Sequence, residues 1–310
     1  MADKKSVLAK ISLLIVAIAW GSSLVVVKSS TDAVSPNFLL ALRFTIGCLV
    51  LSVIFHKRLK QLNKKYLIHG AIIGFCLFLA YCSQTIGVIF AMPGKSAFLS
   101  SSYCVVVPFL AWAVEKRRPD HYNVIAAVLC VAGICFATFT NGISLSLGDG
   151  LALLSAVLFA AHIVSVAKFG KDLDPILITI LQFGFAAVFA WILTLTVERP
   201  IQFVAEPRVI GGILYLAVIC TALSLLLQNI GQKYTSSASA SLILSLESVF
   251  GVIFGVIFSG EKVSGQLMTG FICIFAAILV SELKPKFLRM DRKNKKIHGS
   301  EFKTLKSEMN

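Results

Sequence analysis

Glu247 is an acidic residue placed deep inside a long apolar segment. It lies near the centre of residues 236–257, and no other acidic residue of the chain lies so deep in an apolar stretch. An ionised side chain at the middle of a bilayer costs about 2.5–3.5 kcal/mol on insertion scales, so such a residue needs a physical reason. Two explanations stay open: a cavity site for a cation, an amine or a proton, and a structural partner for a polar group on another helix.

Two further ionisable residues lie within apolar segments. Arg43 stands inside 36–56, where its long side chain could reach the outer interface or form a structural ion pair. His162 stands inside 148–167 and could relay protons, because an imidazole ring titrates near neutrality in water. A neutral histidine held by packing and hydrogen bonds is the equal alternative for His162.

Uncharged polar and aromatic residues recur at helical spacing in the same segments. Residues three, four or seven positions apart share one face of an α-helix, so each group predicts one face. The groups are Trp20, Ser23 and Val27; Ala80, Gln84 and Gly87; Lys95, Phe98 and Ser102; Ser155, Phe159 and His162; Thr221, Ser224 and Gln228; and Ser241, Ser245 and Ser248. Such faces can line a substrate cavity, and small hydroxyl residues equally well hold membrane helices together.

The elements that must position these residues follow from composition. The 310 residues are 57% hydrophobic and 14% charged, with a mean hydropathy of +0.86, which a water-soluble domain of this size could not bury. A membrane-spanning helix needs about 20 mostly apolar residues. The chain predicts ten spans, at 7–28, 36–56, 67–91, 95–114, 121–139, 148–167, 174–196, 208–230, 236–257 and 264–282. The runs are continuous rather than alternating, which favours an all-α polytopic membrane protein over a barrel.

The second half of the chain weakly repeats the first. A shift of 144 positions places Gln84, Ile86, Gly87, Ser101 and Val105 on Gln228, Ile230, Gly231, Ser245 and Val249. Each half holds five predicted spans, and an odd number turns one copy upside-down relative to the other, as in many secondary transporters. We predict two inverted five-helix repeats, at 7–139 and 148–283, followed by a basic cytoplasmic tail at 284–310.

The net charge of +14 predicts topology rather than nucleic-acid binding. With the N-terminus inside, most of the 29 lysine and arginine residues fall in inner loops or the tail. The outer loops hold Lys28, Lys95, Arg199, Arg208 and Lys262, and Arg43 lies within a span. The positive-inside rule then predicts that both termini are cytoplasmic.

The motifs of other functional classes are not found in the sequence. No His-x-x-x-His metal motif, paired carboxylates or Ser/His dyad occurs in a predicted span, which argues against an intramembrane enzyme. No Gly-x-x-x-x-Gly-Lys loop for a nucleotide is present, and the eight cysteines lie in apolar spans without a Cys-x-x-Cys pair. We therefore expect no enzymatic activity, no cofactor and no metal site. A channel would show rings of like residues in an oligomer, whereas internal pseudo-symmetry suits a carrier.

Two spans carry residues that favour bending. Pro108 lies in the middle of the fourth predicted span, where a proline removes one backbone hydrogen bond. The equivalent position in the ninth span is Val252, flanked by Gly251 and Gly255. We predict that Pro108, Gly251 and Gly255 act as hinges for gating.

Short motifs of both halves resemble the repeats of EamA-type transporters. In the first half these are Ala19-Trp20-Gly21-Ser22-Ser23, Ala41-Leu42-Arg43-Phe44, Lys95-Ser96-Ala97-Phe98-Leu99 and Val107-Pro108-Phe109, closed by Glu115. In the second half they are Thr235-Ser236-Ser237-Ala238, Leu246-Glu247-Ser248-Val249-Phe250 and Ser259-Gly260-Glu261-Lys262. The resemblance covers roughly residues 10–283, and the one departure is Ser248, where many such repeats have proline.

The resemblance implies membership of the drug/metabolite transporter superfamily. It implies a ten-helix inverted-repeat carrier in a bacterial inner membrane, with a central cavity lined by both repeats. Members of the superfamily move small metabolites and often export amino acids or their derivatives.

From the residues and the resemblance together we expect a secondary transporter that exports amino acids or related amphipathic metabolites by alternating access. The alternative is an exporter of cationic drugs or quaternary amines. The expected substrate-binding residues are Trp20, Ser23, Gln84, Phe98, Ser102, Phe159, His162, Gln228, Ser245 and Glu247. The expected partners are a small-molecule substrate and the lipid bilayer, without nucleic acid. Proton coupling and a homodimer stay open.

Overall fold

The protein is an all-helical bundle in a computed structural model that describes residues 2–116, 118–138 and 146–283. Within these ranges there is no β-strand, only an isolated bridge between Val34 and Phe203. The predicted tail at 284–310 and most of the predicted linker between the halves lie outside the described residues. The prediction of an all-α protein is confirmed.

The described residues of the first half form six α-helices. They are α1 (Ala2–Ser30), α2 (Pro36–Ile54), α3 (Lys64–Ile89), α4 (Pro93–Ser100), α5 (Tyr103–Glu115) and α6 (His121–Thr138), with a short 3₁₀ helix at His56–Gln61. Prolines open α2 and α4, where the missing N–H group has no helical partner to lose. Asn63 caps α3 by accepting hydrogen bonds from the backbone N–H groups of Lys65 and Tyr66.

Seven α-helices lie in residues 146–283 of the second half. They are α7 (Leu147–Phe169), α8 (Pro175–Val197), α9 (Pro207–Ala217), α10 (Ser224–Lys233), α11 (Ser237–Leu244), α12 (Glu247–Ser259) and α13 (Gly265–Leu283). A π-helical turn at Val218–Leu223 joins α9 to α10. Ser146 and Asp149 form a reciprocal capping box at the start of α7.

Eight helical segments of the described chain are long and apolar enough to cross a membrane. They are Ser6–Ser30, Pro36–Ile54, Lys64–Ile89, Pro93–Val114, Leu147–Phe169, Pro175–Val197, Pro207–Lys233 and Ser237–Ser259. They correspond to eight of the ten predicted spans. The other two predicted spans coincide with α6 and α13, whose apolar stretches are the shorter His121–Gly133 and Gly265–Ala277.

Two of the spanning segments break at equivalent positions. The segment Pro93–Val114 breaks after Ser100 and resumes at Tyr103. The segment Ser237–Ser259 breaks after Leu244 and resumes at Glu247. The shift of 144 positions that relates the halves maps one break onto the other. Both breaks are tight turns with backbone hydrogen bonds from residue i to residue i−3, as from Ser102 to Leu99 and from Ser248 to Ser245.

Helix contacts pair the two halves of the chain. Helix α1 packs against α10 and α12, and α7 packs against α3 and α5. Helix α2 packs against α8, and α6 packs against α13. Glycines permit the closest approaches: a Cβ atom on Gly21 would lie 2.4 Å from Phe250 Cβ, and one on Gly133 would lie 2.5 Å from Ile274 Cγ1.

Candidate functional site

A small cavity lies where the two halves of the chain meet. Its volume is about 10 Å³, which is near the room that one water molecule needs. Side chains of α1, α3, α4, α5, α7 and α12 line it: Trp20, Ser23, Leu24, Tyr81, Gln84, Ala97, Tyr103, Phe159 and Glu247. We call this the central cavity. It contains five of the ten residues predicted from the sequence to bind substrate.

Glu247 supplies the carboxyl group of the central cavity. It is the first residue of α12 and is 6% exposed. Ser101 Oγ lies 3.2 Å from Glu247 Oε1 and 2.7 Å from the carbonyl oxygen of Ala97. A hydroxyl group carries one proton, so Ser101 donates to only one of these oxygens at a time. Glu247 forms no ion pair with another described residue, and its carboxyl group can therefore bind a donor or cation in the cavity.

Four of the nine residues that line the central cavity are aromatic. The ring centroids of Tyr81 and Phe159 lie 5.3 Å apart in a T-shaped arrangement, and those of Tyr103 and Phe159 lie 6.2 Å apart. Trp20 Nε1 donates a 2.8 Å hydrogen bond to the carbonyl oxygen of Cys220, in the π-helical turn between α9 and α10. Because Trp20 is on α1 and Cys220 lies in the second half, this contact holds the indole ring against the opposite half of the chain.

Arg43 lies behind these aromatic residues and differs from both of its sequence interpretations. The side chain is 2% exposed, so it does not reach an interface, and it forms no ion pair with a described residue. Its Nε donates to Thr221 Oγ1 at 3.2 Å, and its guanidinium carbon lies 4.9 Å from the centre of the Tyr81 ring. Its Nη2 has no hydrogen-bond partner among the described residues. The fold thus holds a positive charge one ring away from the central cavity.

Three of the other predicted substrate-binding residues are occupied by neighbours on their own or adjacent helices. The Phe98 ring lies 4.3 Å from the Phe271 ring of α13. Ser102 and Ser245 donate hydrogen bonds to the carbonyl oxygens of Leu99 and Leu242, three residues earlier in the chain. None of the three lines the central cavity.

The remaining two predicted residues belong to buried hydrogen-bonded pairs. His162 Nε2 lies 3.1 Å from Gln182 Oε1 on α8. Gln228 Nε2 donates to Gln232 Oε1 at 3.3 Å within α10. Neither His162 nor Gln228 lines the central cavity, and their contact with substrate stays a prediction.

The predicted hinge residues lie near the helix breaks but not at them. Helix α5 continues through Pro108, and its break falls at residues 101–102. A Cβ atom on Gly251 would lie 2.5 Å from Ala97 Cβ, and one on Gly255 would lie 2.8 Å from the Glu261 carboxylate. Both glycines thus allow close packing in this structure. The 3₁₀ turns at the breaks are the better candidates for bending, because tight mid-helix turns often mark hinges.

One end of the bundle, which we call the Lys95 end, is closed by charged groups. Lys95 Nζ lies 3.0 Å from the carboxylate of Asp149, whose side chain is 3% exposed. Glu261 accepts hydrogen bonds from the backbone N–H of Gly94 at the start of α4. Lys28 donates to the carbonyl oxygens of Val88 and Ile89 at the end of α3. The Lys95 and Glu261 contacts join the two halves of the chain, and the Lys28 contacts join α1 to α3.

The opposite end, which we call the Lys168 end, contains an open cavity of about 460 Å³. Its lining comes from the ends of α5, α7 and α10 and the starts of α8 and α11. The polar lining residues are Lys168, Lys171, Asn229, Gln232, Lys233, Thr235, Ser236 and Ser237. We call this cavity the basic vestibule.

Several of these features were missed from the sequence alone. Tyr81 and Tyr103 line the central cavity although no polar stripe pointed to them. Tyr103 could have been found, because the shift of 144 positions places it on Glu247. The vestibule residue Asn229 had no such signal. Among the described residues, no group of three or more His, Cys, Asp or Glu side chains could hold a metal ion.

The chain is similar to known transporter sequences over almost all of its length. The sequence profile of the EamA-like transporter family matches residues 7–139 and 146–283. An uncharacterized transporter of Archaeoglobus fulgidus is 32% identical over 278 residues, covering 89% of this chain and 87% of that protein. The uncharacterized transporter YwfM of Bacillus subtilis is 26% identical over 288 residues, covering 88% of this chain and 93% of that protein.

A solved structure shares the fold. One crystal structure superposes with a TM-score of 0.68 and covers 91% of this chain and 98% of that chain. Its sequence identity is 19%, so the likeness concerns the arrangement of helices alone.

Proposed function

Because the chain belongs to the EamA-like transporter family, we propose that it is a secondary transporter that exports small metabolites, namely amino acids or related amphipathic compounds. The observation that carries the proposal is the placement of the Glu247 carboxyl group in an aromatic cavity between the halves of the chain. An amphipathic solute with an amino group matches the chemistry of that cavity. The aromatic rings can pack against its apolar part, and the carboxylate can accept hydrogen bonds from its N–H groups.

The proposed architecture is ten membrane spans in two inverted five-helix repeats. Three observations support it: the family profile matches once in each half, the broken helices are related by the repeat shift, and the helix contacts come in exchanged pairs. In such carriers the substrate site lies near the bilayer midplane, between repeats and beside broken helices. The central cavity occupies that position in the proposed arrangement.

The proposed orientation follows from charge. The excess of lysine and arginine in alternate loops supports a cytoplasmic position for the Lys168 end and both termini. The bacterial inner membrane is proposed from the family resemblance. The Lys95 end then faces outward. On this assignment the structure is closed to the outside and open, through the basic vestibule, to the inside.

The proposed mechanism is alternating access around the central cavity. Trp20 and Phe159 would hold the apolar part of the solute, and Ser23 and Gln84 would hydrogen-bond to it. Glu247 would bind the amino group or a coupling proton. Bending at the 3₁₀ turns after α4 and α11 would enlarge the central cavity, whose present volume of about 10 Å³ is too small for an amino acid. Opening outward requires the Lys95–Asp149 contact to separate.

Transport by the purified full-length chain in proteoliposomes tests the proposal. Radiolabelled amino acids and quaternary amines are supplied with and without an imposed pH gradient. We expect saturable amino-acid flux. A response to the pH gradient would assign proton coupling, and amine flux without amino-acid flux would contradict the proposed substrate class.

The Glu247→Gln variant tests the role of the carboxyl group. The amide keeps the size of the side chain but removes its negative charge, so we expect flux to fall at least about tenfold, equivalent to about 1.4 kcal/mol. The matched control is Glu206→Gln, since Glu206 is exposed and does not line the cavity. Wild-type flux in Glu247→Gln at equal amounts of folded protein would remove the proposed role.

A second candidate function is export of cationic drugs or quaternary amines. Trp20, Tyr81, Tyr103 and Phe159 surround one carboxyl group, and aromatic faces attract alkylammonium ions. Competition distinguishes the two functions: tetramethylammonium should inhibit amino-acid flux only if both use this aromatic site. Saturable tetramethylammonium flux abolished by Glu247→Gln would favour the second function.

A further inference from the structure

The basic vestibule is large enough to hold a small solute in the conformation described here. Its volume of about 460 Å³ lies within the range of about 300–1,000 Å³ that is typical of small-ligand pockets. The central cavity is far smaller in the same structure. A solute arriving at the Lys168 end would therefore meet the vestibule before the central cavity can receive it.

The rim of the vestibule carries uncompensated positive charge. Lys168, Lys171 and Lys233 are exposed, and none forms an ion pair with another described residue. Lys233 Nζ makes only a long contact of 3.4 Å with the carbonyl oxygen of Leu173, which leaves it protons to donate. The acidic groups nearby are Asp172 and Asp174, which line an adjoining groove.

The nearby acids do not neutralise the rim. Asp174 is engaged by Arg58 and by the backbone N–H of Ile176 at the start of α8. Among the described side chains that line the vestibule and the adjoining groove, Asp172 is then the one carboxylate left beside three lysine ammonium groups. The start of α11 adds to the positive field, because Ser236 and Ser237 place the N-terminal end of that helix dipole at the vestibule.

The floor of the vestibule contains a buried acceptor without a donor. Asn229 is 3% exposed, and its Nδ2 donates to Thr179 Oγ1 at 2.8 Å, whereas its Oδ1 has no partner among the described residues. Thr235 Oγ1 is also buried without a partner. A buried polar atom without a partner is energetically unfavourable, so a solute that donates an N–H or O–H to Asn229 Oδ1 removes that cost.

We propose that the basic vestibule is an entry site for small zwitterions, in which lysine ammonium groups bind the carboxylate and Asn229 accepts from the amino group. The proposal rests on the proposed function, because it names the substrate class of that transporter at its cytoplasmic mouth. It adds a second site with its own residues, distinct from the central cavity around Glu247. An anionic lipid headgroup carries part of the same chemistry and is distinguished by the experiment.

Thermal unfolding of the full-length protein in neutral detergent measures binding without transport. A ligand that binds only the folded protein raises the unfolding temperature in a concentration-dependent way. The probes are the individual L-amino acids, and the most effective one is compared with its decarboxylated amine and its deaminated acid. We expect stabilisation by the amino acid, little by the amine, and loss of the effect as salt screens the exposed lysines.

Matched variants assign the effect to the vestibule. In Lys168→Gln/Lys171→Gln we expect the half-stabilising concentration to rise about three- to tenfold, as removal of two exposed charges implies. Asn229→Leu should weaken stabilisation by the amino acid but not by its deaminated acid. The control is Lys57→Gln/Lys64→Gln, whose lysines lie at the same end outside the vestibule. Glu247→Gln should retain the stabilisation.

Other results would overturn the proposal. These are no stabilisation by any amino acid, equal stabilisation in the Lys168→Gln/Lys171→Gln variant, and stabilisation only by micelles containing phosphatidylglycerol. Flux in proteoliposomes separates this proposal from the proposed function. Lysine-dependent binding without amino-acid flux contradicts the function alone, whereas normal flux with an unchanged half-saturating concentration in the lysine variant contradicts the vestibule alone.

Discussion

At the scale of single residues, charge is placed around the central cavity rather than paired inside it. Glu247 lines the cavity, and Arg43 lies behind the Tyr81 ring with one guanidinium nitrogen unsatisfied. Burying an unpaired charge is unfavourable, so a bundle selected for stability alone would carry a hydrophobic residue at position 43. The positive field of Arg43 instead favours negative charge in the cavity, whether on Glu247 or on a solute carboxylate.

The Arg43→Met variant tests whether the charge of Arg43 supports transport rather than the stability of the fold. Methionine fills similar space without charge, so we expect an unfolding temperature equal to or above that of the wild type. Flux should nevertheless fall by about tenfold, because the field at the cavity is lost. Unfolding temperatures and proteoliposome flux are measured on the same preparations, and a destabilised variant with normal flux would contradict the prediction.

At the scale of elements, glycines decide how closely the broken helices approach their neighbours. Helix α12 packs against both α1 and α4, and Gly251 lies at the contact with Ala97 of α4. Helix α4 leads into one 3₁₀ turn and α12 follows the other, and each turn is followed by a residue that lines the cavity, Tyr103 or Glu247. Their packing therefore determines where Glu247 and Ala97 stand relative to each other.

The Gly251→Ala variant is expected to force α4 and α12 apart. The added Cβ would lie 2.5 Å from Ala97 Cβ, and overpacking of this kind costs about 1–3 kcal/mol. Gly211→Ala is the matched control, because a Cβ there meets nothing within 4 Å. We expect the unfolding temperature of Gly251→Ala to be lower than that of the wild type and the unfolding temperature of Gly211→Ala to be unchanged. Equal unfolding temperatures in the two variants would contradict the packing role of Gly251.

At the scale of the whole molecule, the two ends differ in how they are closed. The Lys95 end is joined by a buried ion pair and by charged groups bonded to helix ends, while the Lys168 end is open at the basic vestibule. Removing one partner of a buried ion pair leaves the other charge uncompensated, and this strongly destabilises the conformation in which the Lys95 end is closed. We therefore expect the Lys95–Asp149 pair to set the equilibrium between the inward-open and outward-open conformations of the proposed alternating-access mechanism.

The Lys95→Gln variant should shift that balance toward an open Lys95 end. We expect faster amide hydrogen exchange at the starts of α4 and α7, with unchanged exchange in α6 and α13. Lys262→Gln is the control, since Lys262 is exposed at the same end and forms no ion pair with a described residue. Unaltered exchange at both helix starts would show that the pair does not hold this end closed.

The amino-acid sequence by itself determined the helical character of the chain, the positions of its apolar segments and the family to which it belongs. Continuous apolar runs suffice for the helices and their positions, because a backbone in lipid must satisfy its own hydrogen bonds. The short motifs of both halves indicated the family. Helical spacing also grouped Trp20, Ser23, Gln84 and Phe159 on polar or aromatic faces, and Glu247 was singled out by its depth in an apolar segment. These five residues line one cavity.

Only the tertiary structure decided which faces meet. Periodicity states which residues share a face but not the rotation of that face toward a neighbour, so Phe98, His162 and Gln228 were grouped with the cavity and lie elsewhere. The helix breaks fall at the 3₁₀ turns rather than at Pro108. Backbone hydrogen bonds and packing between helices determine where a helix breaks, and a local sequence pattern does not contain this information. The burial of Arg43 and the open vestibule likewise arise from contacts between distant segments, which sequence spacing does not encode.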